Sequence, residues 1–326
     1  MATLGISLLA VVVAIAAAIG CQPAGCISNR RVQSAWFVLL AVIIAASPLL
    51  IPANERLARG FFALFCICLM FKVLDLYRDA QRGERPSLRQ WIRFLANPVF
   101  LVRRREGLEK QPTTLANLRD LLRHGVILLL SAATFDALMR VNWVGLPFLL
   151  EHTMKSLTLF VVGISIFSVC AALFRMAGCY ETDPIDRPFA SRSIAEFWRR
   201  YNRWIGAALH ENVFKPAGGK RHPIRGTFAA FTVSALIHEY LFGLASMGPV
   251  GAQAAFFLLQ GCGVALTLRY RPHGRAAIAG MILTWSFLIL SSVLFFSVAQ
   301  SVVPLYQQGL PQWLNTWATA SRSVFW

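Results

Sequence analysis

His238 and Glu239 stand side by side in an apolar run, TFAAFTVSALIHEYLFGL over residues 227–244. Ionisable groups in hydrocarbon are expensive and normally face a protein interior or a water-filled cavity. In a helix that starts at Gly226, His238 lies roughly 18 Å along the axis at about 1.5 Å per residue. A neutral imidazole at that depth can accept a proton, or it can simply hydrogen-bond a neighbouring helix. HExxH-type zinc hydrolysis has no support, because the second histidine of that motif is replaced by Phe242. Ser234, one turn earlier, shares a face with His238 and is either its hydrogen-bond partner or a small packing residue. Glu239 can orient the imidazole or offset its charge when protonated, but adjacent helical residues diverge by about 100 degrees, so its direction stays open.

A second dense segment, EFWRRYNRWIGAALHENVFKP over residues 196–216, directly precedes that run. Trp198, Trp204 and the arginines fit a helix lying at the head groups. Asn202 does not, since an amide gains nothing from anchoring and is suited to orienting a carbonyl or a hydroxyl. His210 and His222 read as surface residues, and Lys72 with Asp75, three apart, as a local pair or a snorkelling lysine.

The elements that must carry these residues are membrane helices. Of 326 residues 56% are hydrophobic and 14% charged, too apolar for a soluble chain of this length. The apolar residues fall in blocks near the roughly 20 residues that cross a bilayer. No short alternating segments suggest a barrel. Eight spans are predicted, at 4–20, 36–52, 61–76, 125–138, 157–174, 226–244, 253–268 and 277–299, the fourth being the shortest. The net charge of +17 sits in the loops between spans, which fits the positive-inside rule and anionic lipid rather than nucleic acid. Basic residues from Arg78 to Arg123, including Arg103, Arg104, Arg105 and Lys110, place the third loop in the cytoplasm, and the loop 176–225 falls on the same side. Both termini are then outside. The loops 77–124 and 176–225 are read as basic cytoplasmic segments with interfacial helices at 87–94 and 194–209, within a single membrane-embedded domain, 1–326. Seven cysteines without CxxC pairing indicate neither zinc nor a disulfide framework. No GxSxG elbow or P-loop occurs, and nothing in the pattern specifies an oligomeric state.

The FWxxxNR-type segment, the Lys215–Pro216 turn and the SALIHEYLF helix, in that order, resemble the membrane-bound O-acyltransferases (MBOAT), and within them the wax synthase-like branch. The preceding PFASRSIAEFW is similar too; the likeness covers residues 188–242, with Tyr201 where wax synthase-like members often have a second tryptophan. The resemblance implies an all-α polytopic fold and acyl transfer from acyl-CoA, a cosubstrate with no bound cofactor or metal, to a lipophilic alcohol. It makes His238 the membrane histidine, acting as general base, and Asn202 the asparagine that positions the thioester or its oxyanion; these two positions alone are carried over, and Glu239, Ser234 and Trp198 are candidate supporting residues on the reading of the residues themselves. Arg199, Arg200, Arg203, Lys215, Lys220, Arg221 and Arg225 form the pool of cations for the phosphates. The expected location is a bacterial cytoplasmic membrane. A carrier using the His238/Glu239 pair is the alternative, and would be expected to show broken helices or repeated halves.

Overall fold

The structure, a computed structural model, describes residues 2–103, 112–179, 183–246, 251–300 and 303–314. Arg104, Arg105 and Lys110 of the first basic loop lie outside them. All regular structure among the described residues is helical: α1 Ala2–Ala24, α2 Arg30–Ala46, α3 Arg56–Gln81, α4 Leu88–Ala96, α5 Thr114–Arg140, α6 Phe148–Met176, α7 Ile194–Arg200, α8 Arg203–Leu209, α9 Pro223–Ser246, α10 Ala252–Thr267 and α11 Arg275–Ala299. Seven of these, α1, α2, α3, α5, α6, α9 and α11, are long and apolar enough to cross a membrane, and α10 is a shorter apolar helix of 16 residues. Each of the eight predicted spans falls on one of them. The protein is an integral membrane protein.

Charge pairing extends the helices beyond the apolar windows. The fourth span, predicted over 125–138, belongs to a helix of 27 residues whose first turns carry Arg119 and Arg123. The fifth begins at Phe148 rather than 157, because Glu151 and Lys155 neutralise each other at 2.5 Å on successive turns and are buried together. Hydropathy counts such a pair as two charges, whereas the fold removes both from solvent at once.

Helices α1–α4 form one packed group. Ser87 and Gln90 make a reciprocal capping box at the start of α4, and its Trp91 and Phe94 face inward. The Trp91 indole N–H donates to the Ala18 carbonyl at 2.9 Å. The helix expected at 87–94 forms over Leu88–Ala96, with its aromatic face turned onto α1. Lys72 and Asp75 reach beyond the local pairing expected of them: the ammonium donates to the carbonyl oxygens of Phe94, Leu95 and Asn97, and Asp75 accepts the Arg103 amide N–H at 2.8 Å. Together they dock the chain after α4 against α3.

Helix α5 packs along α6, and Arg175 joins their ends by donating to Asn117 at 2.7 Å and pairing with Asp120 and Asp183. On the other side α9 packs on α3 and α10, and α10 on α7 and α11. A Cβ at Gly263 would lie 2.8 Å from the end of the Ile194 side chain, so a larger residue there would make Ile194 of α7 shift against α10.

The segment 194–209 is not the continuous helix its composition predicts. It breaks at Asn202, whose backbone is left-handed (φ 48, ψ 57). Asparagine tolerates that region better than other residues with a Cβ. The break is fixed on both sides by backbone bonds, Asp186 N–H to Arg200 O at 2.9 Å and Arg203 N–H to Pro184 O at 2.8 Å. Beyond α8 the chain makes one wide π-type turn, His210–Phe214. A Cβ on Gly226 would lie 2.6 Å from the Phe214 ring, so glycine also sets how closely this turn meets α9.

Candidate active site

Helices α6 to α11 enclose a cavity of about 620 Å³, completed by the π-type turn and by Leu64 of α3. Its lining runs over residues 156–167 of α6, 227–238 of α9 and 285–296 of α11. Each stretch covers about 16 Å of helix axis. His238, Asn202, Ser234 and Trp198 all line it. Glu239 does not.

His238 lies far along α9 from its basic end. Its Nδ1 is 2.8 Å from the Ser234 carbonyl oxygen. A carbonyl only accepts, so Nδ1 carries the proton and Nε2 keeps a lone pair. Among the described residues Nε2 has no hydrogen-bond partner. The ring rests on Phe257 of α10, with centroids 4.0 Å apart, and on Phe295 of α11 at 6.0 Å. Backbone hydrogen bond and aromatic walls thus hold the imidazole in the tautomer that accepts protons. Ser234 contributes its backbone rather than the hydroxyl, because a helical histidine at i reaches the carbonyl at i−4 directly.

Glu239 points away from His238. Its Oε1 accepts the amide N–H groups of Gly251 at 2.9 Å and Ala254 at 2.8 Å, at the first turn of α10. A carboxylate there satisfies orphan donors and complements the positive end of the helix dipole. Its work is to fasten α10, and with it Phe257, against α9.

Trp198 is likewise turned inward rather than to the head groups. Its indole N–H donates to Gln260 Oε1 at 3.0 Å, and Gln260 Nε2 donates to Ser291 at 2.7 Å, linking α7, α10 and α11. The ring packs on Phe231 and Phe257. Asn202 spends its Oδ1 on a long capping contact, 3.4 Å from the Ile205 N–H. Its amide nitrogen has no partner among the described residues and is therefore available as a donor.

Of the cations, Arg200 pairs with Glu196 at 2.7 Å, Lys215 pairs with Glu211 at 2.6 Å, and Lys220, Arg221 and Arg225 are exposed at the basic end of α9. Burial alone would raise the Glu196 carboxyl, but the Arg192 amide N–H and the Arg200 guanidinium outweigh it and hold it below the usual carboxylate range. His222 is exposed, as expected; His210 is exposed too, yet its ring stacks on Phe214 and borders the cavity.

Sequence reasoning missed a second buried polar group behind the cavity wall. His152 is fully buried, with Nδ1 2.7 Å from the Tyr306 hydroxyl and Nε2 2.9 Å from the Ile289 carbonyl. Lys155 donates to the Leu305 carbonyl at 2.6 Å, and Glu151 accepts the Gln307 amide N–H at 3.1 Å. The cluster pins the segment 303–314 onto α6 and α11. The spacing of Glu151 to Lys155, four residues with the acid first, was its legible signal. Among the described residues no group of three or more His, Cys, Asp or Glu side chains could hold a metal.

Comparison with known proteins gives the family of the chain. The sequence profile of MBOAT, the membrane-bound O-acyltransferase family, matches residues 122–301, which include α6 to α11 and every residue named around the cavity except Leu64. The chain is also similar to a probable long-chain-alcohol O-fatty-acyltransferase 3 of Arabidopsis thaliana, 31% identical over 159 residues, 44% of this chain and 45% of the relative. The chain therefore matches under half the length of that relative.

Proposed function

The chain belongs to the membrane-bound O-acyltransferase family, and we propose that it moves an acyl group from acyl-CoA to the hydroxyl of a lipophilic alcohol, giving a wax or sterol ester-like product. The observation that carries this reading is His238 Nε2, an unpartnered proton acceptor on the wall of a largely apolar cavity that it shares with the free amide of Asn202. In the reaction Nε2 takes the alcohol proton as the oxygen attacks the thioester carbonyl. The Asn202 amide donates to the oxyanion that forms, a contribution of about 3 kcal/mol when such a donor is well placed. Collapse of the tetrahedral adduct breaks the carbon–sulfur bond, and the proton passes from His238 to the departing thiolate of coenzyme A. No acyl-enzyme is required.

The basic loops would face the cytoplasm, where the soluble thioester arrives with its phosphates toward Lys220, Arg221 and Arg225. The alcohol would come from lipid. A long-chain alcohol is favoured by the name of the plant relative and by the aromatic and aliphatic lining of the cavity.

Purified protein in nanodiscs, given palmitoyl-CoA and hexadecanol, should release coenzyme A and form the ester. His238→Ala should lower the rate by about 10² to 10⁴, the usual worth of a general base, while eluting as folded protein. Ester formation that survives in folded His238→Ala removes the assigned base. A wild type that forms no ester with any alcohol yet moves a solute across vesicles would establish the carrier instead.

A further inference from the structure

His152 and Ser292 form a hydrogen-bonded pair that the chemistry above leaves unused. Ser292 lies on α11 and lines the cavity, while His152 is buried behind it on α6. His152 Nε2 is 2.9 Å from the Ile289 carbonyl oxygen and 3.0 Å from Ser292 Oγ, and Nδ1 is 2.7 Å from the Tyr306 hydroxyl. A carbonyl only accepts, so Nε2 carries the proton and Nδ1 accepts from Tyr306. His152 therefore has no lone pair with which to activate Ser292, and the pair is not a nucleophile with its base. What it does is crowd one acceptor. The Ile289 carbonyl has two lone pairs but three donors within reach: the amide N–H of the next helical turn, His152 Nε2–H, and the Ser292 hydroxyl at 2.8 Å. Of the three only the hydroxyl rotates freely. It is the one to turn away, accepting from Nε2–H and presenting its own proton to the cavity.

The position of Ser292 decides what receives that proton. One turn on, the rings of Phe295 and Phe296 lie 5.4 Å apart, Phe295 6.0 Å from the His238 ring and Phe296 6.0 Å from the His152 ring. The two imidazoles thus share a level, each beside one ring of this pair, and Ser292 stands a turn away from it on the cavity side. Along α11 the lining begins at Trp285 and ends at Phe296, so this level is the end remote from Arg275 and the basic loops. A thioester entering from the basic side brings its carbonyl up to His238, and the oxygen it meets there is the alcohol's. An alcohol that gives its proton to His238 and one lone pair to the carbonyl carbon keeps a second lone pair, which in an apolar cavity needs a donor. We infer that Ser292 binds the acceptor alcohol, donating its hydroxyl proton to the alcohol oxygen, with His152 as the positioning residue that holds the hydroxyl in that direction. This rests on the acyltransferase reading and specifies how the second substrate is oriented.

Ser292→Ala removes one hydroxyl from the cavity wall and keeps the helix. With palmitoyl-CoA saturating, kcat/KM for hexadecanol should fall about three- to tenfold, the worth of one neutral hydrogen bond, while KM for palmitoyl-CoA stays within about twofold. Ser292→Thr, which retains the hydroxyl, should recover most of the loss. His152→Phe keeps a ring beside Phe148 and Phe296 but leaves the Ile289 carbonyl only two donors, so the Ser292 hydroxyl returns to it. Its loss with hexadecanol should match that of Ser292→Ala, and the double variant should be no worse than either single one. A merely structural role for His152 would multiply the losses and raise KM for both substrates, which overturns the inference. So does Ser292→Ala with the wild-type kcat/KM for hexadecanol, and in both cases the acyltransferase reading stands. Where His152→Phe yields no folded protein, Ser292→Ala and Ser292→Thr decide the matter alone. A wild type that forms no ester with any alcohol removes both readings together.

Discussion

Replacing Glu239 separates fastening from proton chemistry. In Glu239→Gln the side-chain carbonyl can still accept the Gly251 and Ala254 amides, which both bond to a single oxygen, Oε1. Only the charge at the helix end is lost, a cost of about 0.5 to 1 kcal/mol. In Glu239→Ala both donors lose their acceptor. Two bonds to a charged group would sum to about 3 to 6 kcal/mol, but Gly251 and Ala254 are half-buried and water recovers part, leaving about 3 kcal/mol. Unfolding by sodium dodecyl sulfate in mixed micelles should therefore rank wild type, Gln and Ala in that order, with the larger gap at Ala. Activity should follow through Phe257, which α10 holds 4.0 Å from the His238 ring: near wild type for Gln, at least about tenfold lower for Ala. The reasoning fails if Glu239→Gln is as stable as wild type but as inactive as Glu239→Ala, because the carboxylate would then be exchanging protons.

Asn202→Gly keeps the left-handed backbone without strain and deletes the amide, so folded yield should hold while ester formation drops about 10²- to 10³-fold; unchanged turnover would reduce Asn202 to a backbone role. Lys155→Met strands the buried Glu151 carboxylate and should destabilise by about 3 to 5 kcal/mol, with Glu151→Gln/Lys155→Met recovering most of the loss; a denaturation series of the three variants reads this directly. Glu196 has its folded value depressed, so its contribution is present above the ordinary carboxylate pKa and is lost as pH falls through the folded value. Denaturation midpoints should consequently drop below about pH 4, and Glu196→Gln should flatten that acid limb while leaving pH 7 to 8 unchanged in slope.

Hydropathy alone located the eight apolar helices, because a bilayer admits few other ways to satisfy a spanning backbone. It also singled out His238, since an ionisable residue in an apolar run is conspicuous without any tertiary information. Asn202 was legible as an amide out of place among anchoring residues, but its left-handed break between α7 and α8 was not, because the segment composition suits one amphipathic helix. The directions of neighbouring side chains were beyond sequence altogether. The direction of Glu239, open in the sequence, is decided by packing: it caps α10, a helix whose first turn is brought to it only by the fold. The fifth span was predicted to start at 157, yet Glu151 and Lys155 before it are buried together, since their mutual neutralisation depends on a burial that no single-residue scale contains. Sequence thus determined the medium, the helices and the candidate histidine. Tertiary structure decided which polar atoms are already satisfied, leaving His238 Nε2 and the Asn202 amide nitrogen without a partner among the described residues.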